Sequence, residues 1–353
     1  MAKKPKRMLI LGTGLMANSH AKAFAADKRC KMVAAIDLNA ERLDAFAKTY
    51  GIKNKFATLD DAIAWGEFDA AVNVTPDAAH YPTTMALLQA GKNVFCEKPL
   101  ALNAKDAFKM VKEAEKRGLV NMVNFTYRNA SALQEARRLV QSGALGIMRN
   151  VTASYRQSWL VQPKWGEWST DDTWLWRLSS AHGSKGALGD TGVHIFDFVA
   201  YGADTSFKEI SARLTTFDKA PGGKIGKYTL DANDSAMLQG DLANGAAISI
   251  VITRFATGHY NDSFLEMHGT KGALRVWTDG GESTLYACLG KDVMKAKFKK
   301  VKLEKTPVNA TRFIDALISG KNGMPSFEDG AKAQQVIDAC FESEKTGSRV
   351  KIK

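Results

Sequence analysis

Two domains of different class are predicted for this chain: an N-terminal α/β domain on a doubly wound parallel sheet, and a C-terminal α+β domain with a large, mostly antiparallel open sheet. Three observations predict them. Short apolar runs alternate with helix-length segments from Met8 to about residue 125. A glycine-rich turn closes the first of those runs. Beyond about residue 205, apolar and polar residues alternate at period two with Gly and Asp-Gly punctuation, the pattern of antiparallel strands. A chain of 353 residues is also too long for one ordinary core. The boundaries that follow are 1–125 for the first domain and 126–353 for the second. The helices of 307–346 are read as able to pack back on the first domain.

The first strand, Met8–Leu11, runs straight into "GTGLMA", a G-x-G-x-x-A pattern. Gly12 suits a tight turn, Gly14 a close backbone approach to a pyrophosphate, and Ala17 the contact of helix with strand. The helix that follows would aim its first N–H groups at the phosphates. A second apolar run, Met32–Ile36, ends in Asp37, which lies 23 residues after Gly14. A carboxylate there can accept both ribose hydroxyls of an adenosine and repels a 2′-phosphate, so NAD is expected rather than NADP. Arg42 is close enough in sequence to soften that preference. Helices "AERLDAFAKTYG" and "LDDAIAW", strand "AAVNV", helix "HYPTTMALLQAG", strand "NVFC", helix "AKDAFKMVKEAEKRG" and strand "VNMVN" complete a Rossmann-type alternation. Ligands of such sheets gather at the carboxyl ends of the strands. Thr75-Pro76, Glu97-Lys98-Pro99 and Asn124 all stand at such ends.

In the middle of the chain, "GALGDTGVHIFDFVAYG" reads as a helix capped by Asp190 or Thr191. Asp190, His194 and Asp197 fall at i, i+4 and i+7, which places them on one face. Two carboxylates flanking a histidine suit an imidazole held ready to take a proton. An N-cap and a buried helix histidine explain the same residues without chemistry. Five of the seven tryptophans lie between 159 and 176, among Arg156, Asp171, Asp172 and Arg177. That grouping suits either a pocket stacking on the apolar face of a sugar or an aromatic anchor for a loop. Strands are then read in "KEISARLTTF", "DSAMLQGDL", "AAISIVITRFA", "DSFLEMHGT", "GALRVWT" and "STLYACL". The lysine-rich 295–305 is read as the solvated face of a strand, where lysine discourages edge pairing.

Composition narrows the function classes. The net charge of +12 is spread along the chain, so neither a nucleic-acid nor a membrane partner is expected. The four cysteines form no C-x-x-C pair and no zinc spacing, so no metal is expected and a reducing compartment is. The basic, apolar N-terminus resembles an export signal, but its glycines fit a first strand and turn better. A cytoplasmic location is therefore expected.

Taken together, "GTGLMANSHAKAF", "TPDAAHYPTTMALLQAGKNVFCEKPLA" and "GALGDTGVHIFD" resemble the Gfo/Idh/MocA oxidoreductases, the glucose–fructose oxidoreductase and inositol 2-dehydrogenase type. The resemblance runs along essentially the whole chain. It implies a catalytic lysine at Lys98, an acid/base pair at Asp190 and His194, and a substrate-contacting carboxylate at Asp197. It places NAD contacts at Gly12, Gly14, Asp37, Thr75, Pro76, His80 and Glu97. Leu15, Met16, Leu38 and Arg42, which neighbour the motif residues, are taken as cofactor-binding with them, as is Lys98. It also implies a homodimer or homotetramer formed through the large sheet. The implied reaction is hydride transfer between NAD and a secondary alcohol of a sugar, anhydrosugar or cyclitol. His194 would take the hydroxyl proton while Lys98 stabilises the developing alkoxide, or Lys98 would itself be the base. Asn124, Tyr127, Arg156, Trp176 and Arg177 are candidates for the remaining hydroxyls. The alternatives for this chain are an NAD-dependent glycosidase working by transient oxidation and a non-enzymatic dinucleotide-sensing regulator.

Overall fold

The computed structural model describes residues 4–352. Residues 1–3 of the expected first domain, which begin its signal-like basic segment, lie outside the described residues, as does residue 353. The chain divides into two units, one running to Thr126 and resuming at Pro307–Gln334, the other comprising Tyr127–Thr306 and Gln335–Lys353. The second division falls inside the helix Phe327–Thr346.

The first unit carries β1 (Lys6–Leu11), α1 (Leu15–Ala25), β2 (Cys30–Ile36), α2 (Ala40–Tyr50), β3 (Asn54–Phe56), α3 (Leu59–Trp65), β4 (Ala70–Asn73), α4 (Asp77–Gln89), β5 (Asn93–Cys96), α5 (Ala104–Lys116) and β6 (Asn121–Val123). Its six strands are all parallel, in the order β3-β2-β1-β4-β5-β6. The order reverses between β1 and β4, the switch point at which such sheets bind ligands. Local chemistry sets the helix ends: Asn39, Thr58 and Asn103 each accept a backbone N–H from the first turn of α2, α3 and α5, about 1 kcal/mol apiece. Strand β3 is absent from the sequence expectation because three residues containing a lysine carry no readable period. The core holds Phe24, Phe95 and Phe313, whose rings meet edge to face at 5.5–6.4 Å. Phe313, Ile314 and Leu317 share one face of the helix Asn309–Ser319 and join this core, so that late segment belongs to the first unit.

The second unit carries α6 (Ser131–Gln141), β7 (Met148–Gln157), α7 (Asp172–Leu175), α8 (Val193–Gly202), β8 (Phe207–Thr215), the hairpin of β9 (Lys224–Ile225) and β10 (Tyr228–Thr229), β11 (Ser235–Leu242), β12 (Ala247–Thr253), β13 (Asn261–Gly269), β14 (Gly272–Asp279), β15 (Glu282–Leu289), β16 (Lys299–Lys300) and β17 (Val350–Lys351). Nine of these strands form one sheet, ordered β16-β15-β14-β13-β7-β12-β11-β8-β17. Only the β12–β7 pair is parallel. The lysine-rich run contributes just Lys299–Lys300, at the sheet edge. Helix α8 is apolar on nearly every side and is buried accordingly, packing on β7 and β13. Its last residue, Gly202, is packed so closely that a Cβ there would lie 2.6 Å from Leu265 and 2.9 Å from Leu133. Among the described residues no helix is long and apolar enough to cross a membrane.

Candidate active site

In the first unit, the glycine turn is fixed by close backbone approach. Gly12 has a φ of +90°, and a Cβ on it would lie 2.7 Å from the carbonyl oxygen of Val74, across the switch point. Only glycine fits there. A Cβ on Gly14, by contrast, would meet nothing within 4 Å. Helix α1 begins at once with no side-chain cap and no acidic residue in its first turn. Its N-terminal N–H groups are thus suited to an anion. Asp37 at the end of β2 is buried and accepts from the backbone N–H and hydroxyl of Thr13 at 2.8 and 2.7 Å, from the Asn39 N–H at 2.9 Å, and from Arg42 at 2.6 and 3.0 Å. Burial pushes its carboxyl up, but those hydrogen bonds, Arg42's first, hold it well below the usual carboxylate range. Leu15 and Leu38 are 85% and 94% exposed beside it, and Met16 is also exposed.

The strand ends after β4 and β5 are tied together by side chains. Asn73 donates to Thr83 and Thr84 and accepts from Thr75, through both its N–H at 3.2 Å and its hydroxyl at 2.7 Å. His80 is fully buried, with Nδ1 2.6 Å from the Pro99 carbonyl and Nε2 2.8 Å from the Thr75 carbonyl. It therefore braces Thr75-Pro76 against Lys98-Pro99, whose peptide bond is cis. Glu97 meets His20 at 2.6 Å and Asn124 at 2.7 Å, and accepts the Lys98 N–H at 3.1 Å. Asn124 also accepts from Asn309 at 3.2 Å. His20 was not among the sequence candidates. Its signal was its place on the buried face of α1 with Ala17, Ala21 and Phe24.

Burial raises the Glu97 carboxyl, but His20, Asn124 and the charge of Lys98 together bring it down from 4.5 to about 2. A carboxyl depressed in the folded state stabilises the fold above its unfolded value and loses that contribution as pH falls through the folded one. Between about pH 4.5 and pH 2 the protein is therefore expected to lose about 3 kcal/mol through this group. Acid unfolding followed by circular dichroism checks it: Glu97→Gln should flatten that part of the curve. Identical acid slopes in wild type and variant would assign the loss to other carboxyls.

In the second unit, a single π-helical turn, Leu188–Gly192, precedes α8. This corrects the capping expectation. Neither Asp190 nor Thr191 caps the helix, because Asp190 sits within the π turn and the Thr191 hydroxyl donates to the Ala187 carbonyl at 2.6 Å. The three residues of the i, i+4, i+7 set are thus split between the π turn, which carries Asp190, and α8, which carries His194 and Asp197. Asp190 meets Arg254 at 3.2 Å, with Arg177 at 3.9 Å, whereas both oxygens of Asp197 accept from buried Arg128 at 2.9 and 3.1 Å. His194 is buried against two tyrosines that stand edge-on to it, Tyr127 at 5.3 Å and Tyr155 at 6.3 Å. Their hydroxyls hydrogen-bond at 2.7 Å. Burial, then Tyr127, pushes the Tyr155 phenol well above its usual value.

Tyr155 and Arg254 escaped the sequence reading. Tyr155 lies on β7, a strand whose polar residues hid it, and Arg254 looked like an ordinary charge ending β12. The tryptophans form an aromatic cluster around buried Trp159, with Trp165, Trp168, Trp174 and Trp176 packed against it. Arg177 lies 4.7 Å over Trp176 and donates to the Thr173 carbonyl at 2.6 Å. Arg156 is half-buried near the end of β7.

Residues 6–125 match the family described as an oxidoreductase family with an NAD-binding Rossmann fold, and residues 133–275 match the GFO/IDH/MocA C-terminal domain. The chain belongs to the Gfo/Idh/MocA oxidoreductase family. Among its relatives, the levoglucosan dehydrogenase of Pseudarthrobacter phenanthrenivorans is 25% identical over 95% of each chain. The inositol 2-dehydrogenase of Rhizobium meliloti is 26% identical over 96% of each. A solved structure of levoglucosan dehydrogenase in complex with NADH and levoglucosan matches with a TM-score of 0.86 at 25% identity, covering 99% of this chain and 100% of that one. The Gfo/Idh/MocA cofactor fits the residues present: a Cβ-free cradle at Gly12 and Gly14, an uncapped α1, and a charged Asp37.

Proposed function

We propose that this chain is an NAD-dependent dehydrogenase acting on a secondary alcohol of a sugar, anhydrosugar or cyclitol. The observation that carries the reading is the presence, in one family member, of the Gly12–Gly14–Asp37 cradle, a braced Lys98, and Asp190 beside a buried Arg254 one helical turn before His194. NAD, when bound, supplies the ring that accepts the hydride. Gly12, Gly14, Leu15, Met16, Asp37 and Leu38 would hold it. His194 takes the proton of the substrate hydroxyl, and the Lys98 ammonium stabilises the charge that develops on that oxygen. Asp190 steadies the imidazole system, and Tyr127, Arg156, Trp176 and Arg177 address the remaining hydroxyls.

The proposal extends to a cytoplasmic homo-oligomer. The four cysteines are free of disulfides, which supports a reducing compartment. Met237, Val251, Trp277 and Tyr286 are exposed on the large sheet, which supports a second copy packing there.

The test is NADH absorbance over levoglucosan, inositol and a set of aldoses, each with NAD and with NADP. Reduction of NAD by at least one polyol is expected, with NADP slower by about tenfold or more because Asp37 repels its 2′-phosphate. No reduction with any of them would sink the dehydrogenase reading. Faster turnover with NADP would sink the role given to Asp37. Cleavage of a nitrophenyl glycoside without net NADH would favour a glycosidase instead.

A further inference from the structure

We infer that Arg254 is a positioning residue that holds the Asp190 carboxylate for the acid–base chemistry of His194, an inference that rests on the dehydrogenase reading. Arg254 follows β12 and is fully buried. Its Nη2 donates to Asp190 at 3.2 Å, its Nη1 donates to the Arg177 carbonyl at 3.2 Å, and its guanidinium lies 5.0 Å over the Trp159 ring. A guanidinium removed from water needs anions around it. Burial lowers its proton affinity, and Asp190 and Asp234 oppose that effect.

Asp234 is equally buried and is itself paired with buried Lys219 at 2.5 Å, while the Phe217 N–H donates to it at 2.9 Å. The charges therefore alternate along the series Lys219, Asp234, Arg254, Asp190. Of their four side chains only that of Asp190 is accessible, at 35%. That arrangement commits the fixed charge of the interior to the one carboxylate placed for chemistry.

Arg254 gives Asp190 a fixed partner from outside its own turn. Asp190 stands in the π turn, where the ordinary helical spacing does not set its direction. Neighbouring Gly189 is closely packed as well: a Cβ on it would lie 2.2 Å from Lys185 Cβ. The guanidinium fork satisfies Asp190 and the Arg177 carbonyl together, which an ammonium at the same place cannot do with the same geometry.

Two measurements test this. In steady-state kinetics with NAD and the polyol of the panel that reduces it fastest, Arg254→Met should lower kcat by about 100-fold and Arg254→Lys by about 10-fold, with KM within about threefold of wild type in both. Partial rescue by lysine, at constant KM, marks positioning. Wild-type kcat in Arg254→Lys, or KM rising in step with the fall in kcat, would overturn it. Should the methionine variant not fold, the lysine variant keeps the buried charge and carries the kinetic test. The second measurement needs no activity: urea unfolding of Arg254→Lys, Asp190→Asn and the double variant. Coupling of about tenfold or more in the unfolding constant is expected for residues in contact, and additive effects would overturn the pairing. Coupling present in a protein that oxidises no polyol would overturn the dehydrogenase reading, and the catalytic part of the inference with it, while the ion pair stands.

Discussion

Lys98→Met is expected to lower kcat by about 1000-fold while leaving the NAD dissociation constant within about threefold of wild type. Methionine keeps the apolar stem of the lysine and removes the ammonium, so the change isolates the charge. The expected loss is large because the backbone around Lys98 is pinned from several directions. The Glu97 N–H donates to the Asn73 carbonyl at 2.9 Å, the Lys98 N–H donates to the Glu97 carboxylate, and His80 braces Pro99. A group held on such a frame delivers its charge without reorganising. Steady-state kinetics gives kcat, and NAD titration by intrinsic fluorescence gives binding. Undiminished kcat would remove Lys98 from the mechanism. An equal loss of NAD affinity would make it a cofactor contact instead.

Lys98 stands out as a candidate in the sequence because a lysine and a proline ending an apolar strand are hard to explain as packing. Gly12, Gly14 and Asp37 stand out as candidates for the same kind of reason, since glycine at a strand end and a carboxylate after the next strand suit one ligand. The parallel sheet was legible through its apolar runs, as strands buried on both faces are. Strand β7 was not, although it lies at the centre of the larger sheet. "MRNVTASYRQ" buries Ser154, Tyr155 and Gln157 along with its apolar residues, so its period is masked. Arg254 and His20 were hidden by distance: each acquires meaning from a partner 64 or 77 residues away, which no local pattern reports. The π turn was hidden because the i, i+4 spacing of Asp190 and His194 is what an uninterrupted helix would also show. The misses thus cluster where long-range pairing, not local period, decides the structure.

Asp197→Ala is expected to cost about 3–5 kcal/mol of stability, the scale for breaking one partner out of a buried ion pair. Arg128 and Asp197 are 2% and 4% exposed, and the arginine Nε alone reaches both carboxylate oxygens. The guanidinium also lies 4.2 Å over Tyr201, whose hydroxyl donates to Gln134 at 2.6 Å, and Gln134 in turn donates to the Arg128 carbonyl at 2.6 Å. Alanine would leave that charge buried and poorly compensated within a fixed frame. Urea unfolding measures the loss, and the double variant Arg128→Met, Asp197→Leu should recover most of it, because replacing both charges by apolar groups removes the desolvation penalty along with the attraction. A cost below about 1 kcal/mol, with KM for the sugar raised instead, would move Asp197 from the framework to the substrate. The larger cost is expected because α8 is apolar almost all round and carries His194 just ahead of Asp197. A buried charge pair at that point adds a directional contact to the close packing of the helix at Gly202, and so helps to set the direction of the imidazole.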